Sequence, residues 1–120
     1  MGNTYKKGEK DVRPWGTWEV LDAGDAFCVK RICVAPHKIL SLQSHNFRAE
    51  HWIVVKGEAI VTLGEEKLAK KANESVYIPV GVKHRIQNDT EEMMEFIEIQ
   101  TGDNLDENDI IRYEDSYGRV

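Results

Sequence analysis

The chain has 120 residues, a formal net charge of -5 and a pI near 5.4. That length suits one domain with its own core and leaves no room for a second domain beside it. No run of Lys or Arg forms the basic stripe that a nucleic-acid backbone requires, so we expect no nucleic-acid partner. No apolar stretch reaches the length of a membrane span, and the first residues lack the apolar region of a secretion signal, so we expect a cytoplasmic protein with no membrane partner.

The first residues are predicted to form an arm that enters a strand. Pro14 cannot donate a hydrogen bond to a sheet ladder and Gly16 permits a turn, so the strand begins after them. The tail is predicted to form a short helix or turn anchored by Ile110 and Ile111. We therefore divide the single domain 1–120 into an arm with a first strand (1–20), a barrel core (21–101) and a tail that packs on the barrel (102–120).

Short apolar runs separated by turn-forming residues predict a series of β-strands. The runs are 27–34, 39–43, 51–55, 59–63, 75–78, 84–87 and 93–100. Glycine, proline and asparagine lie at several of the breaks, where the backbone can reverse. Short strands at nearly regular spacing, without helical periodicity among them, are typical of a β-sandwich or small barrel, so the predicted class is all-β.

Two short segments carry four side chains that suit a divalent metal. Residues two apart in a strand share a face, so Gln43 and His45 point the same way. Glu50 begins the next strand after a turn, and His84 begins another after the turn 79–81. Any one of these residues alone is more often a surface or hydrogen-bonded side chain, but the joint spacing favours a metal. Two imidazoles, a carboxylate and an amide oxygen accept Zn, Mn, Co or Fe, so we predict one divalent ion per chain.

The same segments resemble the paired motifs of the cupin superfamily. The strings are Gln43-Ser-His45 with Glu50 and Gly57, and then Pro79-Val-Gly-Val-Lys-His84. Cupins are small double-stranded β-helix (jelly-roll) barrels that hold a metal with residues of both motifs, so the resemblance implies that fold. This chain departs from the usual first motif at His37, which stands in place of a glycine, and at Gln43, which stands in place of a histidine.

Further segments resemble the type II mannose-6-phosphate isomerase domain. They include Arg13-Pro-Trp-Gly16, Arg48-Ala-Glu-His-Trp52, Tyr77-Ile-Pro79 and Glu114-Asp-Ser-Tyr-Gly-Arg119. This resemblance implies a metal-dependent isomerase that converts mannose 6-phosphate to fructose 6-phosphate through an enediol, with a sugar phosphate as its ligand. Because cupins often pair, it also implies a homodimer, with the arm as the exchanged element. The family commonly has histidines where this chain has Asn46 and Phe47, a change that bears on substrate contacts more than on the metal.

An isomerase also needs a base to move a proton and cations to hold the phosphate. Glu98 and His51 are the candidate bases, although strand alternation from Glu50 points His51 outward. Arg48 is the third catalytic candidate, as a guanidinium beside the metal that matches phosphate geometry. The substrate-binding candidates offer either a positive charge or a ring that can face the sugar: Lys30, Arg31, Trp52, Arg85 and Arg119.

Two other functions stay open from the sequence. The chain could be a non-catalytic cupin that binds a metal or a sugar, its isomerase function lost with the changes at Asn46 and Phe47. It could also be a metal-dependent oxygenase, although such enzymes use more open positions around iron than four protein ligands leave. The fold does not separate these alternatives, because one barrel serves many chemistries.

Overall fold

In the computed structural model, which describes residues 2–119, all the regular elements are β-strands. This part of the chain holds no helix that is long and apolar enough to cross a membrane. The strands in chain order are β1 (Gly2–Asn3), β2 (Lys10–Arg13), β3 (Gly16–Ala23), β4 (Phe27–Val34), β5 (Leu42–Ser44), β6 (Ala49–Lys56), β7 (Glu58–Leu63), β8 (Glu66–Lys71), β9 (Ser75–Ile78), β10 (His84–Gln87), β11 (Met94–Thr101), β12 (Asn104–Leu105) and β13 (Ile111–Glu114). The predicted all-β class is confirmed.

Two antiparallel sheets enclose the core. The larger has the order β2-β3-β4-β11-β6-β9 and the smaller the order β13-β5-β10-β7-β8. A separate parallel pair, β1 with β12, joins the first described residues to the C-terminal segment. Consecutive strands often lie in different sheets, as β5 and β6 do, so segments distant in sequence meet inside.

Three features differ from the sequence prediction. The arm is a hairpin of the same chain: β2 pairs with β3 around a Pro14-Trp15 turn, so the division at residue 20 falls inside β3. The tail forms β12 and β13 where a short helix or turn was predicted, because β13 gains a partner in β5. Strand β8 was missed because none of its side chains is buried, so its sequence shows only weak alternation of apolar and polar residues. It forms a strand because it pairs along its length with β7.

The barrel interior has two chemically different halves. On the central strands β4, β11 and β6, Ile32, Phe96 and Val54 are in register, and all three are buried. Two residues further along β11, Glu98 is in register with Lys30 and Trp52, which are buried as well. We call the two regions the apolar half (Ile32, Val34, Val54, Met94 and Phe96) and the polar half (Lys30, Glu50, Trp52, Glu98 and Gln100).

Candidate metal centre

Three side chains from the two predicted motifs meet in the polar half. His45, Glu50 and His84 each offer a donor atom, and these atoms lie within 4.8 Å of one another. The Glu50 carboxylate lies between the rings: Oε2 is 3.2 Å from His45 Nε2, and Oε1 is 3.7 Å from His84 Nε2. All three side chains are at most 2% exposed. Two nitrogens and one oxygen at this spacing form a donor set for a divalent cation.

Local backbone structure explains how the two motifs converge. His45 directly follows β5, while Glu50 lies in β6 and His84 opens β10. The Gly81 N–H donates to the His45 carbonyl at 2.9 Å and so joins the turn before β10 to the end of β5. Gly81 has φ of +83°, a conformation that side-chain-bearing residues rarely adopt. Gly81 of the second motif therefore holds the first motif, at His45, in a fixed position relative to the second.

Hydrogen bonds set both imidazoles in the tautomer that a metal requires. Nδ1 of His45 donates to the Asp109 carbonyl at 2.7 Å, and Nδ1 of His84 donates to the Val82 carbonyl at 2.9 Å. Because a carbonyl only accepts, Nε2 carries the lone pair of each ring in its neutral form, and at His45 the Arg48 guanidinium lies 3.4 Å from that nitrogen. The buried Nε2 of His84 has no hydrogen-bond partner among residues 2–119. A buried acceptor left without a partner is costly, and metal coordination would satisfy it, so these residues fit a metal ion.

The protonation states also suit a metal. Burial lowers the pKa of His45 to about 3, with further contributions from the Arg48 and His84 charges, so its ring is neutral near pH 7. Burial acts to raise the pKa of Glu50, but Arg48 and His84 outweigh it and the pKa is lowered, so this carboxyl is ionised. Metal ligands must be deprotonated, and both groups already are.

Arg48 contacts two of the candidate metal ligands. Its Nε donates to Glu50 Oε2 at 2.9 Å, and its Nη2 lies 3.4 Å from His45 Nε2. Nη1 donates to the Tyr5 hydroxyl at 3.3 Å and to the Asp106 carbonyl at the same distance. This buried guanidinium is therefore the counter-ion of Glu50 in the structure.

Gln43 lies next to the trio on the adjacent strand. It pairs with His84 across β5 and β10, so both side chains share the inward face. Its Oε1 accepts a hydrogen bond from the Ser41 hydroxyl at 3.1 Å. The structure thus brings three of the four predicted ligands together and holds Gln43 beside them at the cavity wall.

Glu98 and Trp52 connect the metal centre to the rest of the polar half. The Trp52 indole N–H is shared between Glu50 Oε1, at 2.9 Å, and Glu98 Oε1, at 3.0 Å. Burial first and the Glu50 charge second raise the pKa of Glu98, which favours its protonated form. Trp52 is only 2% exposed and packs on Phe96 and His84, so its ring lies inside the barrel, and its contact with a sugar stays a prediction.

A small cavity of about 90 Å³ opens beside this centre. Of the predicted residues, Lys30, Gln43, Arg48, Glu98 and Arg119 line it. The Lys30 ammonium lies 4.3 Å from the centre of the Tyr5 ring and 4.2 Å from that of Trp18. A larger groove of about 540 Å³ lies elsewhere, lined by residues of β7 and β8 with Glu74, Asp89 and Thr90, and contains none of the buried ionisable groups.

Three predicted residues lie on outward faces. His51 is exposed and packs on Tyr77 with ring centres 4.7 Å apart. Arg31 pairs with Glu95 at 3.2 Å, and Arg85 pairs with Glu114 at 3.1 Å. Each alternates with buried neighbours on its strand, so the pleat turns it away from the cavity. The structure therefore does not bring His51, Arg31 or Arg85 to the site.

The tail supplies contacts that the sequence did not reveal. The Asp109 carboxylate accepts hydrogen bonds from the backbone N–H groups of Asn46, at 2.9 Å, and Phe47, at 3.0 Å. Phe47 is 55% exposed, so its side chain does not enter the cavity. Arg112, also on the tail, lines the cavity. Neither Asp109 nor Arg112 belongs to a recognisable motif, and a tail predicted as helix or turn gave no inward face on which to place them.

Comparison with known proteins identifies close relatives. The family described as mannose-6-phosphate isomerase C-terminal matches residues 2–115. The xanthan biosynthesis protein XanB of Xanthomonas campestris pv. campestris is 54% identical over 111 residues, 92% of this chain and 24% of XanB. Mannose-1-phosphate guanylyltransferase of Escherichia coli is 49% identical over 109 residues, 90% of this chain and 23% of that protein. The chain therefore spans about a quarter of the length of these relatives.

A solved structure supports the fold. The cupin domain of Cnp3 from Schizosaccharomyces pombe superposes with a TM-score of 0.70 at 14% identity, covering 72% of this chain and 64% of that one. At such identity the likeness concerns the fold alone. The predicted double-stranded β-helix barrel is confirmed.

The predicted conversion of mannose 6-phosphate to fructose 6-phosphate is wrong. The relatives are enzymes named for guanylyl transfer to mannose 1-phosphate, or proteins named for xanthan and alginate biosynthesis, and none of these names is that of an isomerase. The motifs that suggested isomerisation identify a barrel and a candidate donor set, and proteins with different chemistries share both. By its sequence match and its barrel, the chain belongs to the family of mannose-6-phosphate isomerase C-terminal domains, within the cupin fold.

Proposed function

We propose that this chain is a metal-holding, sugar-phosphate-binding cupin domain of an enzyme that uses mannose 1-phosphate. The observation that carries the proposal is the pair of histidines whose Nδ1 groups are committed to backbone carbonyls, with the Nε2 of His84 buried and without a partner in the described chain. The relatives named for guanylyl transfer are about four times as long, so what we propose is a contribution to their activity.

The metal would be held by His45, Glu50 and His84, with Gln43 as a fourth donor from the neighbouring strand. Mixed nitrogen and oxygen donors accept Zn, Mn, Co or Fe. A bound divalent ion would act as a Lewis acid toward a sugar oxygen. The protein's own contribution is to orient both imidazoles, to keep that of His45 neutral and to hold Glu50 ionised in a site closed to bulk water.

The charges of the cavity support a sugar phosphate as its ligand. Lys30, Arg48, Arg112 and Arg119 line it, and Glu98 is the lining carboxyl group nearest the metal ligands. Because burial and the Glu50 charge favour the protonated form of Glu98, that group adds little negative charge to the cavity. Guanidinium and ammonium groups are the side chains that bind phosphate oxygens. Mannose 1-phosphate is the ligand to test first, because it appears in the names of close relatives.

Metal analysis of matched histidine variants tests the metal centre. We expect one divalent ion per wild-type chain after loading and dialysis, and its loss in H45A and in H84A, since each removes a ligand. H51A is the control, because His51 is a histidine on the outer face of β6, one residue from Glu50. Equal metal content in H84A and the wild-type protein would contradict the proposal.

Calorimetric titration with mannose 1-phosphate tests the ligand. We expect saturable binding to the metal-loaded protein that weakens as salt is added, because the cavity cations dominate the interaction. A metal present at a hundred times its dissociation constant should also stabilise the fold by about 2.7 kcal/mol. Absence of mannose 1-phosphate binding at low salt would overturn the sugar-phosphate part while leaving the metal result to stand on its own.

A further inference from the structure

Arg112 differs from the other arginines of the described chain in having no carboxylate partner. Within residues 2–119, each of the other arginines forms an ion pair: Arg13 with Asp11 and Glu107, Arg31 with Glu95, Arg48 with Glu50, Arg85 with Glu114 and Arg119 with Asp115. Arg112 is half-buried at the cavity wall, and its buried Nε has no hydrogen-bond partner in that same part of the chain. A buried guanidinium nitrogen without an acceptor is costly unless a ligand supplies one.

The register of the smaller sheet aims Arg112 toward the same space as the metal ligands. Arg112 on β13 pairs with Gln43 on β5, and Gln43 pairs with His84 on β10. Directly paired residues share a face, so Arg112, Gln43 and His84 form one row across three strands. Neighbouring strands are about 4.8 Å apart, which places the backbones of Arg112 and His84 about 10 Å apart. Arg112 and Gln43 both line the cavity, so the row runs from the cavity wall toward the candidate metal ligands.

The surroundings of Arg112 are unfavourable to it without an anion. Burial first, and then the positive charges of Arg119 and Arg13, lower the pKa of Arg112, while Asp115 and Glu107 offset this only in part. Those two carboxylates already bind other arginines, since Asp115 holds Arg119 through two oxygens and Glu107 pairs with Arg13. The guanidinium groups of Arg13, Arg112 and Arg119 therefore lie near one another. Of these three, Arg112 lacks an ion-pair partner within residues 2–119.

We infer that Arg112 is the phosphate-binding residue of the cavity, and that it holds the phosphate of a phosphorylated hexose whose ring extends along the Gln43 row toward His45, Glu50 and His84. The inference rests on the proposed function and adds to it the orientation of the bound ligand. The phosphate lies at the C-terminal tail and the sugar ring at the metal centre. A planar guanidinium with an open edge suits a phosphate better than a point charge does.

The test compares R112Q, R112K and the control R31Q in metal-loaded protein at low salt. Calorimetry measures the affinity for mannose 1-phosphate, inorganic phosphate and methyl α-mannoside. We expect R112Q to weaken binding of both phosphates by roughly tenfold or more, because a charge-assisted hydrogen bond is lost. R112K should recover part of this loss, and R31Q, whose side chain is exposed on the outer face, should match the wild-type protein.

Metal content and thermal unfolding of each variant separate this inference from the proposed function. If wild-type protein and R112Q bind mannose 1-phosphate equally, the inference is overturned and the proposed function stands. If wild-type protein binds no phosphate ligand, the inference and the sugar-phosphate part of the proposed function are both overturned, and metal analysis decides the metal part. Should R112Q fail to fold, R112K decides the matter: undiminished affinity overturns the inference, since a lysine cannot reproduce the two-pronged contact. Unchanged metal content in a weakly binding R112Q supports it, because a general loss of structure would remove the metal too.

Discussion

The two halves of the barrel interior are built on the same strands and yet have opposite chemistry. Along β11, the inward side chains of Met94 and Phe96 are followed by those of Glu98 and Gln100, and all four are buried. The strands on either side change in step, from Ile32 to Lys30 on β4 and from Val54 to Trp52 on β6. Strand alternation therefore tells which residues face inward, and the residue type tells which of those serve stability and which serve a site.

This difference implies that substitutions in the two halves change the free energy of unfolding by different amounts. Removing a side chain from the apolar half leaves a cavity that the barrel cannot refill. In the polar half, buried charges gain attraction from one another but lose hydration, so an apolar substitute of similar volume is often tolerated. The following predictions test this contrast.

The largest effect is expected from F96A in the apolar half. Phe96 is fully buried and packs on Trp52, so its truncation should lower the free energy of unfolding by about 3 to 5 kcal/mol. E98Q, two residues along the same face, is the matched control and should cost less, because glutamine resembles the protonated carboxyl favoured there. Chemical denaturation of both variants measures the contrast. Equal losses would show that the halves do not differ in this way.

A smaller effect on stability is expected from K30M. Burial lowers the pKa of Lys30, and its ammonium lies between the Tyr5 and Trp18 rings. Methionine fills similar space without an ion to desolvate, so the free energy of unfolding should change by less than about 1 kcal/mol. Mannose 1-phosphate binding should nevertheless weaken. A loss of stability as large as that of F96A would contradict this and show that Lys30 contributes mainly to the stability of the fold.

The smallest effect is expected from D115N, in the tail that closes the polar half. Hydrogen bonds from Arg119 lower the pKa of Asp115 from 3.8 to about 2. The resulting stabilisation is present above pH 3.8 and is lost as the pH falls to 2, because the unfolded chain then takes up the proton first. Since the pair is partly exposed, its contribution should be below about 1 kcal/mol. Unfolding curves of D115N and wild-type protein should differ at pH 6 and converge near pH 2. Parallel curves over that range would contradict this.

The sequence predicted most of the barrel because its inner strands alternate strongly. The runs 27–34, 75–78 and 84–87 coincide with β4, β9 and β10. Strand β8 lacked that signal, since it buries no side chain and depends on β7 for its structure. The arm was expected to exchange between subunits, and in this chain it pairs with its own sheet. The homodimer stays a prediction.

The candidate site was only partly predictable, for a related reason. The spacing of His45, Glu50 and His84 carried enough information to bring them together, because turn residues fix where each strand begins. Arg31, Arg85 and His51 were chosen for their chemistry, although alternation turns them outward. Arg112 could not be found, because its position depends on β13 pairing with β5, a contact that joins segments nearly seventy residues apart.

The shared hydrogen bond of the Trp52 indole makes the metal centre observable by spectroscopy. Its N–H is divided between Glu50 and Glu98, and Glu50 is the carboxylate that a metal would engage. A cation that draws charge from Glu50 would shift this proton toward Glu98 and change the electric field along the ring. The indole N–H proton resonance and the tryptophan emission should therefore follow occupancy of the centre, without any label added to the protein.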